Sequence, residues 1–232
     1  MESTSEGMRS VVDQMNEVGF DMMIYSFGSG YQFETHNKTY LNQIKGDIAY
    51  AKNKGIEVGG YDLICLDRGH GGYGGNVGDQ WATVLKDGSN GADACFASGW
   101  YDVIHNLTLT WIKDAGLSMV ETDGPYVYSF FFLSLEINLY SLIYTHTHTH
   151  CRYGGEECAS ENHTHHDGLE DSVYWQTRLQ AEYYTELRAL NVFVNQPDYF
   201  FYLGGQKTDM GYSENEYSYV LFFFYFVLGA HL

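Results

Sequence analysis

An apolar stripe at helical spacing, then a glycine, then a short apolar run: this rhythm recurs along the chain, and few folds accommodate it. Met8, Val11, Val12, Met15 and Val18 share one helical face and Gly19 follows as a stop. Residues 20–27 are a compact apolar stretch ending at Gly28-Ser29-Gly30, the pattern of a strand buried on both faces. Tyr40, Leu41, Ile44, Ile48 and Ala51 mark a second helix, with Lys52 and Lys54 at the negative pole of its dipole and Gly55 as its C-cap. Residues 56–66 form the next strand region and open onto a glycine-rich loop, 68–78. The cycle repeats with Trp100, Val103, Ile104, Leu107, Trp111 and Ile112 closed by Gly116, then the strand 117–121. It repeats again with Leu169, Val173, Leu179, Tyr183, Leu187 and Leu190, then the strand 192–195. Strands separated by helices pair in parallel through right-handed crossovers. The expected class is α/β. An open doubly wound sheet and a (β/α)8 (TIM) barrel both satisfy the order of elements. Glycines, aromatics and acids gathered after the strands favour about four βα units of a partial barrel, which builds its sites there.

Composition narrows the function. The chain has 232 residues, with 30 acidic against 12 basic side chains and a formal net charge of −18. Nucleic acid is therefore excluded as a partner, because its phosphates require Lys and Arg for neutralisation; a neutral substrate suits the balance. Twenty-one Tyr, 14 Phe and 4 Trp offer flat faces for sugar stacking, although most aromatics pack cores. Trp81, Trp100 and Trp175 are the stacking candidates, and helical spacing assigns Trp100 to the core. The loop Gly69-His70-Gly71-Gly72-Tyr73-Gly74-Gly75 lacks the spacing of a dinucleotide fingerprint, and no cofactor is called for. Cys65, Cys95, Cys151 and Cys158 are too sparse for a disulfide framework, and without CxxC spacing no residue is assigned as a metal ligand. Sequons at Asn37, Asn106 and Asn162 point to the secretory pathway and a glycoprotein. The polar N-terminus is not a signal peptide, so the protein is either cytosolic or begins upstream.

Two segments break the rhythm: 127–153, with Phe130-Phe131-Phe132 and the run Thr145 to His150 of alternating Thr and His, and the tail 219–232, with Phe222-Phe223-Phe224. A membrane reading meets Glu136 and Asn138 near the middle of a stretch slightly short of the roughly 20 residues a span needs. A metal reading would use His146, His148 and His150 with Cys151. The favoured reading is translated intron. ACACAC encodes Thr-His, pyrimidine tracts encode Phe, and Val127 and Val220 supply the GT of a donor at or near each junction. Removing both segments leaves a (β/α) barrel fragment of residues 1–126 and 154–218, with a continuous loop where 124–126 meets 154–155 after the third of these strands.

Asp123 is the first choice for chemistry. It follows a short apolar strand and precedes Gly124-Pro125, which places a carboxylate at a carboxyl strand end; the rival reading of Asp-Gly-Pro is ordinary turn chemistry. Glu121, two residues earlier, shares its strand face. Asp62 and Asp67, after the preceding strand, are placed to bind sugar hydroxyls or to stand as plain loop acids. In Glu161-Asn162-His163-Thr164-His165-His166-Asp167, Asp167 is expected to cap the following helix. His163, His165 and His166 are expected to contact substrate, ahead of a metal role.

The strings Ala51-Lys52-Asn53-Lys54-Gly55-Ile56-Glu57-Val58-Gly59-Gly60-Tyr61 and Trp111-Ile112-Lys113-Asp114-Ala115-Gly116-Leu117-Ser118-Met119-Val120-Glu121-Thr122-Asp123-Gly124 resemble α-galactosidase-type glycoside hydrolases of families 27 and 36. The resemblance covers about half of the chain. It implies that 20–27, 56–66, 117–121 and 192–195 are strands two to five of a barrel, and that Asp123 is the nucleophile. The acid/base would follow strand six, beyond this chain. Asp209 and Glu214, the late acids, read as loop residues. The family usually carries Lys two residues before the nucleophile, where this chain has Glu121. A catalytically silent carbohydrate-binding relative is one alternative; a membrane-associated or His-rich metal-binding protein, defined by the segments 127–153 and 219–232, is the other. The intron reading has its own check: genomic DNA should carry splice signals at the borders of 127–153 and 219–232. Transcripts and protein that uniformly retain both segments would contradict it.

Overall fold

A computed structural model describes residues 4–25, 34–65, 68, 77–123, 156–197 and 209–212, with the backbone alone at 123, 196–197 and 209–212. In chain order the elements are α1 (Ser5–Val18), β1 (Met22–Tyr25), α2 (Lys38–Asn53), β2 (Glu57–Leu63), β3 (Ala82–Val84), β4 (Asn90–Ala94), α3 (Gly99–Thr110), β5 (Met119–Asp123), α4 (Leu169–Ala189), β6 (Phe193–Pro197) and β7 (Asp209–Tyr212). A π-turn, Trp111–Ala115, extends α3.

Five strands form one parallel sheet in the order β1-β2-β5-β6-β7. Along the described residues this order follows the chain without reversal, whereas a doubly wound sheet reverses at its switch point. β3 and β4 form a separate antiparallel pair inserted between β2 and α3. All four expected strand regions are found. The sequence reading did not anticipate the hairpin or β7, and Asp209, expected in a loop, opens that strand. Asp67, Glu214 and the segments 127–153 and 219–232 lie outside the described residues.

The two ends of the sheet are built differently. Helix-to-strand connections have three residues each: 19–21, 54–56, 116–118 and 190–192. Each contains one residue with positive φ, namely Gly19 (84°), Gly55 (79°), Gly116 (85°) and Asn191 (59°). That left-handed step reverses the chain within one helical C-cap, and Asn is the side chain that tolerates it best after Gly. The strand-to-helix connections are 26–37, 64–98 and 124–168. All the long loops thus rise from the carboxyl ends of the strands.

The helices start where polar caps satisfy their first amides. Thr4 Oγ1 accepts from Gly7 N (3.1 Å), Asn37 Oδ1 from Thr39 N (3.0 Å) and Tyr40 N (3.3 Å), and Ser98 Oγ from Trp100 N (3.2 Å). The expected cap by Asp167 is not formed. Asp171, in the first turn of α4, reaches back to accept from the amides of Asp167 and Gly168 at 3.1 Å, because α4 begins at Leu169 and places Asp171 within reach of both.

Ile48, Ala51, Ile104, Trp111 and Leu187 are buried in one core with Val58, Val120 and Val194 of the sheet. Val120 pairs with Gly60 on one side and Val194 on the other. On the opposite face Gly59 pairs with Met119. A Cβ at 59 would lie 2.8 Å from Met119 Cβ, so only glycine lets the Met119 side chain lie across β2. The stripe expected for α4 is partly displaced. Its first half buries Ser172, Gln176 and Gln180, while Tyr174 and Trp175 face solvent. The reason lies in the loops, which bring backbone polar groups beneath this helix.

Candidate functional site at the carboxyl ends of the strands

Asp123 ends β5, the middle strand of the five, and its backbone is in register with Leu63 of β2. Glu121, two residues before it, is half-buried and accepts a hydrogen bond from Asn195 Nδ2 at 2.9 Å, which ties β5 to β6 across the register pair 121–195. The sequence reading paired Glu121 with Asp123; the structure adds Asn195 as its partner.

Asp62 is placed differently from a simple sugar-binding acid. Strand alternation puts it on the face of Val58 and Gly60, beneath the helices, and it is only 7% exposed. Its Oδ2 has no hydrogen-bond partner among the described residues. Burial, reinforced by the nearby Glu34 charge, raises its carboxyl to about 7, against the pull of Arg68. Arg68 is itself buried and pairs with Glu34. Its guanidinium lies 5.2 Å from the centre of the Trp100 ring, a stacked cation–π arrangement that suits Arg. Trp100 Nε1 donates to the carbonyl of Ile64 at 2.6 Å, and Trp81 packs on Trp100 with centroids 5.9 Å apart. Trp100 is core, as its spacing implied; Trp81 is half-buried beside it, and Trp175 is remote on the outer face of α4.

The three histidines separate. His165 turns outward, with Nε2 3.0 Å from Asp102 Oδ2 and its ring edge against Tyr101. His163 and His166 turn inward and meet Cys95 and Cys158. The four ligand atoms lie within 4.8 Å of one another. Individual separations are 3.1 Å for His163 Nδ1 to His166 Nε2, 3.4 Å for Cys158 Sγ to His163 Nδ1, and 3.5 Å for Cys95 Sγ to His166 Nε2. The Cys158 thiol is drawn down to about 2, chiefly by the hydrogen bond from Cys95 and also by His163 and His166, against its burial. Burial, together with that same neighbour, pushes the Cys95 thiol up.

Backbone contacts carry these residues to one place. Cys95 follows β4 and its amide donates to the Trp81 carbonyl at 2.8 Å, while Ala94 N donates to Cys65 O at 2.9 Å, pinning the hairpin to the end of β2. The loop before α4 lies along the hairpin through Ala159 N to Val84 O (2.7 Å) and His165 N to Ala97 O (3.1 Å). Ser172 and Gln176 explain the polar half of α4. Ser172 Oγ accepts from Cys158 N at 3.0 Å, and Gln176 accepts from Phe96 N (3.0 Å) and donates to Glu156 O (2.8 Å). Sequence reasoning found His163 and His166 but assigned them to substrate, and it missed Cys95 and Cys158 as partners. The local signal was Cys158-x4-His163-x2-His166, whose fourth member is 63 residues upstream of Cys158, across the hairpin.

No protein-family model matches the chain, and no curated protein matches it. Solved structures do. An alpha-N-acetylgalactosaminidase from Bifidobacterium bifidum, in complex with GalNAc, superposes with a TM-score of 0.51 at 15% identity, covering 84% of this chain and 29% of that one. A GH36 alpha-galactosidase from Geobacillus stearothermophilus, in complex with stachyose, gives 0.51 at 11% identity, covering 83% and 25%. A maltogenic alpha-amylase from Thermotoga neapolitana gives 0.50 at 9% identity, covering 97% and 48%. The chain spans less than half the length of each. At these identities the likeness is one of fold, and the partial resemblance to α-galactosidase-type structures expected from the sequence is present. No helix among the described residues is long and apolar enough to cross a membrane.

The raised carboxyl of Asp62 has a measurable consequence. The folded chain keeps its proton up to about pH 7, whereas the unfolded chain releases it near the ordinary value of 3.8. Stability tied to this proton is complete below the unfolded value and is lost as pH rises through about 7. Between about pH 5 and 8, denaturant titrations should show the wild type losing stability relative to Asp62→Asn, by an amount of order a few kcal/mol. Parallel pH profiles for the two proteins would contradict the assignment.

Proposed function

We propose that the chain is an arc of a (β/α)8 barrel from a glycoside hydrolase, with Asp123 as the nucleophile that opens an O-glycosidic bond. Residues 1–126 and 154–218 form the arc in this reading, with 127–153 and 219–232 as non-native insertion and tail. The observation that carries it is the position of residue 123 at the carboxyl end of the central parallel strand, on the rim from which every long strand-to-helix loop rises. Barrel enzymes assemble their chemistry on that rim. The non-reversing strand order supports an arc over an open doubly wound sheet. The fold shared with proteins solved in complex with GalNAc and with stachyose supports carbohydrate as the substrate class.

The reaction is that of a retaining glycosidase. The residue 123 carboxylate adds to the anomeric carbon while the bond to the leaving oxygen breaks, and a second carboxylic acid donates its proton to that oxygen. Water, deprotonated by the same second group, then displaces the carboxylate from the sugar. The two carboxyl groups must stand about 5–5.5 Å apart, and the partner belongs to a later strand of the complete protein. Glu121 favours a second reading. It occupies the position where the α-galactosidase type carries Lys, and it is hydrogen-bonded to Asn195, as a catalytically silent carbohydrate-binding relative could allow.

The test is hydrolysis of aryl α-galactoside and aryl α-N-acetylgalactosaminide by the complete protein. Turnover should be measurable in the wild type and fall to background in Asp123→Asn. Equal turnover in both would remove Asp123 from the chemistry. Saturable sugar binding without turnover in the wild type would establish the silent relative.

A further inference from the structure

We infer that Cys95, Cys158, His163 and His166 form a structural zinc site that staples the loop before α4 to the β3–β4 hairpin. The inference stands on its own observations and does not depend on the glycosidase reading.

Geometry comes first. With Zn–S near 2.3 Å and Zn–N near 2.05 Å, tetrahedral coordination requires about 3.3 Å between two nitrogens and about 3.5 Å between sulfur and nitrogen. The chain presents 3.1 Å between His163 Nδ1 and His166 Nε2, and 3.4 and 3.5 Å for the two sulfur–nitrogen separations. Three of the six separations thus match a tetrahedral site closely, and all four atoms lie within 4.8 Å of one another. Two thiolates and two imidazoles also make the donor set that selects zinc among common divalent ions, whereas calcium and magnesium take oxygen ligands.

The surroundings are those of a closed site. Cys95 and Cys158 are fully buried and His166 is only 4% exposed. The tautomer of His166 is set from behind: Nδ1 lies 3.1 Å from the Gly168 carbonyl, so its N–H is used there and the Nε2 lone pair faces the cluster, the usual outer-shell device of a metal-bound histidine. Asp171, whose carboxylate holds the amides of Asp167 and Gly168, fixes that carbonyl in turn. Val84 N donates to Cys158 Sγ at 3.3 Å, a backbone hydrogen bond of the kind that stabilises a metal-bound thiolate. Four protein ligands leave no open coordination position, which marks a structural rather than a hydrolytic ion. Binding is balanced by release to solvent of the protons the cluster holds, so that two thiolates form Zn–S bonds and both imidazoles bind as neutral donors.

Position gives the ion its task. Cys95 contributes from the hairpin, and Cys158, His163 and His166 from the loop that joins β5 to α4. Zinc there closes a loop that spans β5 and holds the hairpin, with Trp81 hydrogen-bonded to Cys95, against the rim of the sheet.

The experiment uses the full chain, purified without chelator. Metal analysis should give about one zinc per chain, and replacement by cobalt should give the charge-transfer and d–d bands of a tetrahedral dithiolate centre. Cys158→Ser and His166→Ala should each reduce bound zinc to below about a tenth, while His165→Ala, outside the cluster, should keep it. Chelation of the wild type should lower its thermal midpoint, and added zinc should restore it. That measurement holds even where the cysteine variant fails to fold. Three results would overturn the site: a folded wild type with no zinc above background, a Cys95–Cys158 disulfide found by mass, or bound zinc that persists in both variants and is lost on removing His146, His148 and His150.

Discussion

Parallel pairing of the strands is the constraint on which everything else depends. Once β1, β2, β5, β6 and β7 run the same way, the returns from β1, β2 and β5 each pass through a helix, and these connections are of two kinds. On one side are three-residue turns, each closed by a left-handed step at Gly19, Gly55, Gly116 or Asn191. These leave no room for chemistry and serve stability. On the other side the connections are long, and all of them leave from the carboxyl ends of the strands. The placement of Asp123, Asp62, Arg68 and the Cys–His cluster near this rim follows from strand direction before any individual contact is considered.

Buried polar groups of α4 and Trp100 tie the rim together. Gln176 and Ser172 of α4 act as a template for backbone amides at Phe96 and Cys158, so the loop before α4 and the turn after β4 depend on the same helix. Trp100 links the hairpin side to β2 through Ile64 and carries Arg68 on its ring. Such networks specify one arrangement because each member would cost more unpaired than it contributes when paired. A metal among Cys95, Cys158, His163 and His166 would extend this logic with the strongest bonds available.

Periodicity revealed the repeating frame because helices and strands here obey the simplest rules. Ile48, Ala51, Ile104 and Leu187 sit on the stripes their spacing defines, and Gly55 and Gly116 stop helices where expected. The hairpin was hidden because residues 82–94 have a short, Gly- and Asp-rich sequence whose strands pair only with each other. The polar stripe of α4 was hidden because Ser172 and Gln176 look like surface residues until the loops they receive are known. The same limit explains the cluster. Cys158, His163 and His166 are close in sequence, but Cys95 joins them only through the hairpin's docking onto Cys65 and Trp81. Asp62 read as a loop acid because its burial comes from α-helices distant in sequence.

The central claim is that residue 123 carries a carboxylate that becomes covalently bonded to sugar. An activated 2-deoxy-2-fluoro glycoside slows the second step of a retaining reaction and traps the glycosyl ester. After incubation of the complete protein with such a reagent, peptide mapping should place one sugar on the peptide that contains Asp123, released by mild base. A sugar ester on another carboxylate, in a protein that turns over substrate, would contradict the account.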